Sequence, residues 1–121
     1  MNNKKTLVLG ASPNPERVSN EAVLRLKRNE VPLALVGIRE GEIDGEKILT
    51  GTPAIDDVHT VTLYIGAKNQ PQYYDYIVGL KPKRIIFNPG TENPEFFTIA
   101  SEKGIETLNA CTLVMLAVGN Y

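Results

Sequence analysis

Five short runs, at residues 6–10, 33–37, 60–65, 84–88 and 105–109, are apolar almost without a break, and no other feature constrains the fold of this chain as tightly. A strand with one wet face alternates apolar and polar residues, so unbroken apolarity marks strands covered on both faces, as in parallel sheets. Helical patterns separate most of the runs. Residues 19–29 place Ala22, Val23 and Leu26 on one side and Arg25, Lys27 and Arg28 elsewhere, an amphipathic helix with Ser19 as its expected cap. Residues 70–80 put Pro71 in a first turn, gather Tyr73, Tyr74, Ile77 and Leu80, and stop at Lys81-Pro82. Residues 94–103 repeat that grammar: Asn93 caps, Pro94 sits where a missing N–H costs nothing, Glu95 suits the helix dipole, Phe96, Phe97 and Ala100 face inward, and Gly104 closes the helix. A last short helix covers 112–118. Between 39 and 58, three glycines, Pro53 and scattered charges break every period, and the segment reads as mostly irregular.

Strands alternating with helices through right-handed crossovers give an α/β, three-layer, doubly wound fold: a parallel sheet of five strands with helices on both faces. The 121 residues suit one domain, 1–121, and a hydrophobic share of 42% fills one core. Such sheets bind ligands beyond the carboxyl ends of their strands. That rule singles out the loops 10–19, 37–40, 66–70 and 88–93.

Composition removes several classes of function. Thirteen basic and fourteen acidic residues leave a net charge of −1, which provides no footprint for nucleic acid, so any anion must be caught locally. The single cysteine, Cys111, excludes an internal disulfide, and the single histidine, His59, excludes a multi-histidine metal cluster. Met1-Asn2-Asn3-Lys4-Lys5 precedes too few apolar residues for a signal segment or membrane span. The expectation is a cytoplasmic protein without membrane partners.

In the first loop, Leu7-Val8-Leu9 breaks at Gly10 and a helix begins near Ser19. A strand, a tight turn and a helix start make a phosphate site, because the first helical N–H groups are unpaired and carry partial positive charge. The dinucleotide fingerprint G-x-G-x-x-G keeps only its first glycine here, with Ser12 and Pro15 at the later positions, so Ser12 and Asn14 would supply donors by side chain. Arg17 can close over a diphosphate at the helix start, or pair on the surface with Glu16 or Glu21. After the second strand, Gly37-Ile38-Arg39 offers no acid for a ribose diol. Arg39 instead suits an extra phosphate, the 2′-phosphate of NADP or the 3′-phosphate of coenzyme A, or else pairs with Glu40 or Glu42.

Taken in order, these motifs resemble a family. Gly10-Ala11-Ser12-Pro13-Asn14-Pro15-Glu16-Arg17-Val18-Ser19-Asn20 is similar to the opening of small stand-alone CoA-binding domain proteins, relatives of the N-terminal domain of the succinyl-CoA synthetase alpha subunit. The stretches 51–58, 82–95 and 109–113 resemble later parts of the same family, so the likeness spans essentially the whole chain. It implies a Rossmann-like fold with strand order 3-2-1-4-5 and coenzyme A or an acyl-CoA lying across the carboxyl edge. Gly10, Ala11 and Ser12 with Arg17 and Ser19 would then hold the diphosphate. Gly37, Ile38 and Arg39 would meet the adenosine part, and Gly66, Asn88, Pro89 and Gly90 would line the edge near the pantetheine. Many relatives carry Asn-Pro after the second strand, where this chain has Gly37-Ile38-Arg39.

No catalytic triad, metal set or Walker loop is visible. His59 falls at the amino end of the third run, Cys111 reads as a packed residue ahead of a helix, Glu92 and Glu95 read as first-turn acids, and Tyr73 and Tyr74 as core. Non-catalytic CoA binding is therefore the expectation, with a ligase-like protein or a second copy as possible partner. The alternatives are a small NADP- or nucleotide-dependent enzyme or subunit, and a decayed site used for protein contacts through Leu113, Leu116 and Val118.

Overall fold

The computed structural model describes residues 3–121; Met1 and Asn2, part of the stretch read for targeting signals, lie outside the described residues. The elements are β1 (Thr6–Leu9), α1 (Val18–Arg28), β2 (Leu33–Val36), β3 (Gly41–Ile43), β4 (Glu46–Leu49), β5 (Thr60–Leu63), α2 (Tyr74–Leu80), β6 (Arg84–Phe87), α3 (Pro94–Glu102), β7 (Glu106–Asn109) and α4 (Thr112–Val118). Short 3-10 turns at Ala67–Asn69 and Pro71–Tyr73 lead into α2. All five expected strands and all four expected helices form, each within a few residues of its expected bounds.

The sheet has seven strands in the order β3-β4-β2-β1-β5-β6-β7, parallel except for β3. This corrects the five-strand parallel sheet and its order. In that order the run at 60–65 would lie at an edge beyond β2, whereas β5 pairs directly with β1, Thr6 opposite Thr60 and Leu9 opposite Leu63. The place beside β2 is taken by β4, in the segment expected to be irregular. Its cause is local: Asp44 and Gly45 have φ of 49° and 85°, the pair of positive values that a two-residue hairpin turn needs, and Ile43 pairs with Glu46 across it. Counting only the parallel strands restores the order 3-2-1-4-5-6 of a Rossmann-like sheet.

The unbroken runs are explained by burial on both faces. Leu7, Leu9, Val61, Leu63, Ile85 and Phe87 pack with Ile77 of α2 and with Phe96 and Ala100 of α3. Val8, Leu35 and Ile86 pack on the other face with Val23 and Leu26 of α1 and Met115 of α4. Phe96 stacks on Tyr74 at 4.3 Å and meets Phe87 edge-on at 5.9 Å, so the α2–α3 face is the aromatic one. Asn93 caps α3 as expected, its side chain accepting from the Phe96 N–H. Ser19 does not cap α1: Arg17 occupies that position without a side-chain bond, because the helix starts one residue earlier and Ser19 is buried in its first turn.

Two glycines draw the strand ends together. A Cβ on Gly37 would lie 2.2 Å from the Ala11 carbonyl oxygen, and one on Gly10, whose φ is +102°, would lie 2.8 Å from the Tyr64 backbone. Gly37→Ala should therefore force β1 and β2 apart and cost about 1–3 kcal/mol of stability, the usual cost of overpacking. Urea denaturation followed by circular dichroism checks this, and an unchanged midpoint would mean that the two strands do not need this approach.

Candidate functional site

Where β1, β2 and β5 end, their loops surround a cavity of about 540 Å³. Its walls are Gly10 to Pro13 of the first loop, Glu16 to Ser19 at the start of α1, Ile38 and Arg39 after β2, and Tyr64 to Gly66 with Asn69 after β5. β1 lies between β2 and β5 and is the strand from which the chain winds in both directions, the place where ligands sit in doubly wound folds.

The loop is held from both sides. The N–H groups of Gly10 and Ala11 both donate to the Val36 carbonyl, at 2.8 and 3.0 Å, and the buried Asn20 donates from Nδ2 to the Ser12 carbonyl at 3.0 Å. Ser12 Oγ accepts from the Asn14 N–H, and Asn14 Oδ1 accepts from the Glu16 N–H, so Asn14 shapes the loop from outside the cavity wall. No side chain caps α1; the Asn20 N–H turns to the Arg17 carbonyl at 3.0 Å, and the N–H groups of Val18 and Ser19, both on the cavity wall, have no acceptor among the described residues.

Arg17 and Arg39 are both exposed on the wall, and neither has a carboxylate within ion-pair distance among the described residues. Of the two neighbours considered for Arg17, Glu21 pairs with Arg25 at 2.9 Å and Glu16 is in no ion pair among the described residues. Ile38, beside Arg39, is 89% exposed. Val18, at the start of α1, is exposed too, so two cations and two bare apolar side chains stand around the helix start.

Of the residues singled out in the sequence, Gly10, Ala11, Ser12, Arg17, Ser19, Ile38, Arg39 and Gly66 meet at this cavity. Gly37 lies beneath it, packed on Ala11. Asn88, Pro89 and Gly90 lie beyond its wall, after β6. Asn88 is 1% exposed and its amide is fully used: Nδ2 donates to Thr62 Oγ1 and to the Leu63 carbonyl, and Oδ1 accepts from the Thr112 N–H. It ties β5, β6 and the start of α4 together. Tyr64 and Ile65 were missed as wall residues because the run at 60–65 reads as strand throughout, whereas β5 stops at Leu63 and frees them for the edge.

Burial pushes the Tyr64 phenol well above its ordinary value; its hydroxyl, beside Thr62 and Thr112, is buried without a hydrogen bond of normal geometry. The groups weighed for catalysis lie elsewhere. Glu92 accepts from the Gly90 N–H and Glu95 from the Tyr74 hydroxyl, both at 2.9 Å. Cys111 is half-buried at the start of α4, and neither it nor His59 is on the cavity wall. Val114 and Val118 of α4 are exposed, whereas Leu113 and Leu116 are half-buried. Among the described residues no group of three histidine, cysteine or acidic side chains is placed to hold a metal ion, and no helix is long and apolar enough to cross a membrane.

A family model described as a CoA binding domain matches residues 4–117. The chain belongs to the CoA-binding domain family. A solved crystal structure of an uncharacterised protein shares 51% identity with it, covers 98% of both chains and superposes with a TM-score of 0.95. A hypothetical protein from Pyrococcus horikoshii OT3 shares 26% identity over 92% of this chain and 80% of its own, with a TM-score of 0.84. A protein from Thermus thermophilus, 18% identical over the full length of both chains, has a TM-score of 0.85 and so shares the fold. No curated protein matches the chain.

His59 sits at the amino end of β5, the opposite end of the strand from the cavity, with Nδ1 2.8 Å from Thr60 Oγ1. Partial burial, followed by the nearby cations Arg84, Lys4 and Lys83, lowers its pKa below 6.5. A folded value below the unfolded one means that stability is complete above pH 6.5 and falls as the pH drops through the lower value. Urea midpoints across mildly acidic pH should decline in the wild type and decline less in His59→Gln; parallel curves would show that other groups carry the acid sensitivity.

Proposed function

We propose that this chain binds coenzyme A or an acyl-CoA, without chemistry of its own, in the cavity at the carboxyl ends of β1, β2 and β5. The observation that carries the reading is the pair Arg17 and Arg39, both without acidic partners among the described residues, flanking the uncapped start of α1. Unpaired cations beside open amides fit a ligand with phosphates at two separated points. Coenzyme A has that pattern, a diphosphate and a ribose 3′-phosphate. The cavity volume of about 540 Å³ lies within the range of sites that enclose small ligands.

In this reading the Gly10, Ala11 and Ser12 segment, the first turn of α1 at Ser19 and Arg17 hold the diphosphate. Arg39 takes the 3′-phosphate, and Gly37 lets the two loops approach. Ile38 covers the adenine with its exposed side chain. Gly66 borders the pantetheine arm, which continues toward Asn88, Pro89 and Gly90. Asn14 and Asn88 serve by shaping the loops rather than by touching the ligand. When bound, the cofactor brings the thiol or thioester; the protein contributes binding and orientation.

Titration calorimetry with CoA and dephospho-CoA tests the assignment. Arg17→Ala should weaken both ligands by roughly tenfold, about the effect of one charge-assisted hydrogen bond. Arg39→Ala should weaken CoA alone, bringing it to the affinity of dephospho-CoA. Binding of NADP in preference to CoA, with the same dependence on Arg39, would transfer the site to a nicotinamide nucleotide. Unchanged CoA affinity in both variants would overturn the reading.

A further inference from the structure

The side wall formed by the loop after β5 is held by a buried residue that touches neither the cavity nor solvent. Gln70 is 0% exposed. Its Nε2 donates to the Ile65 carbonyl at 3.0 Å and to the Thr91 carbonyl at 2.8 Å, while its Oε1 accepts from Asn93 Nδ2 at 2.9 Å. The Asn93 amide also donates to the Tyr74 hydroxyl, and its oxygen caps α3. Every hydrogen-bonding position on the Gln70 amide that this network needs is filled, so a single side chain fixes the loops after β5 and β6 relative to each other and to α3.

The consequence lies one atom away from the contact. The Ile65–Gly66 peptide is trans, so the Ile65 carbonyl and the Gly66 N–H point in opposite directions across one rigid plane. Gln70 holds the carbonyl toward the protein interior, which turns the Gly66 N–H away from it. Gly66 is on the cavity wall, a Cβ there would meet nothing within 4 Å, and its N–H has no acceptor among the described residues. We propose that Gln70 is a positioning residue which presents the Gly66 N–H to the cavity as a donor for an acceptor oxygen on the arm of the bound ligand. The inference rests on the CoA reading above and extends it: the loop after β5 contributes a fixed backbone donor, and its orientation is set from behind by a residue that never meets the ligand.

The test joins titration calorimetry to amide hydrogen exchange read by NMR, with CoA and adenosine 3′,5′-bisphosphate as ligands. The latter keeps the nucleoside end and lacks the arm. In the wild type the Gly66 amide should exchange rapidly when free, become protected with CoA, and stay unprotected with the bisphosphate. Gln70→Met keeps the volume but removes both donors and the amide oxygen. It should lose roughly five- to tenfold in CoA affinity, leave bisphosphate affinity unchanged, and lose the CoA-dependent protection of Gly66. A role confined to stability would lower the unfolding midpoint and leave the ratio of the two affinities unaltered, and that result overturns the proposal. So does a wild type that binds CoA without protecting Gly66, an arm that needs no variant and stands even if Gln70→Met fails to fold. A wild type that binds neither ligand removes the CoA reading itself, and this inference with it.

Discussion

The close approach of three strand ends at Gly10 and Gly37 is the constraint on which the cavity depends. With no side chain between the Gly37 backbone and the Ala11 carbonyl, or between Gly10 and the Tyr64 backbone, β2, β1 and β5 end against one another. Their loops then leave from nearly one point and diverge, and the space between them is the cavity. The bonds from Gly10 and Ala11 to the Val36 carbonyl continue the β1–β2 pairing one step past the strand, so the first loop is fixed at its root before it turns toward α1. Asn20 then fixes its middle through the Ser12 carbonyl. A loop held at these points offers its amides in one arrangement, which reduces the ordering cost that binding has to meet.

Among the four helices only α3 has a capping side chain at its start, and α1 is the uncapped one that begins on the cavity wall. At α3 the Asn93 side chain fills a first-turn N–H, and the proline that follows has none to fill. At α1, which begins at the cavity, no side chain does so. A cap and an anion compete for the same donors. A chain of net charge −1 exerts no general pull on anions, so an anion has to be met locally, and the uncapped start of α1 with two arginines that have no ion-pair partner among the described residues offers such a place.

Much of this was legible in the sequence because the strongest signals are local. Unbroken apolar runs reported burial on both sheet faces, Asn93-Pro94 reported a capped helix, and the glycine after Leu9 reported the turn. Strand order was not legible, because it depends on which strand fills the place beside β2. That choice is made by the Asp44-Gly45 turn, whose two residues are a recognised hairpin signal but are embedded among charges that obscured the short strands on either side. The α1 boundary was missed for a related reason: Ser19 has the chemistry of a cap, yet its burial against the sheet places it inside the helix. The cavity wall after β5 was only partly legible. Tyr64 and Ile65 extend the apolar character of the strand past the last paired residue, and nothing in residue type marks where pairing stops.

Behind the carboxyl edge lies a second layer that no motif announces, a set of buried polar side chains whose bonds run between elements. Asn88 joins β5, β6 and α4; Thr62 and Thr112 meet at 2.8 Å beside it; Gln70 joins the loops after β5 and β6. Each would be costly to bury unpaired, and each is paired. Apolar packing tolerates small shifts, whereas a buried amide with its bonds in place tolerates few, so these groups convert a sheet edge that only has to be covered into one with a defined shape. In the proposed site this gives a role to residues that would touch no ligand. As proposed, the first loop and the Gly66 wall would act through backbone N–H groups, which have no side chain to adjust. Their geometry has to be set from behind, and the buried amides are the groups placed to do it.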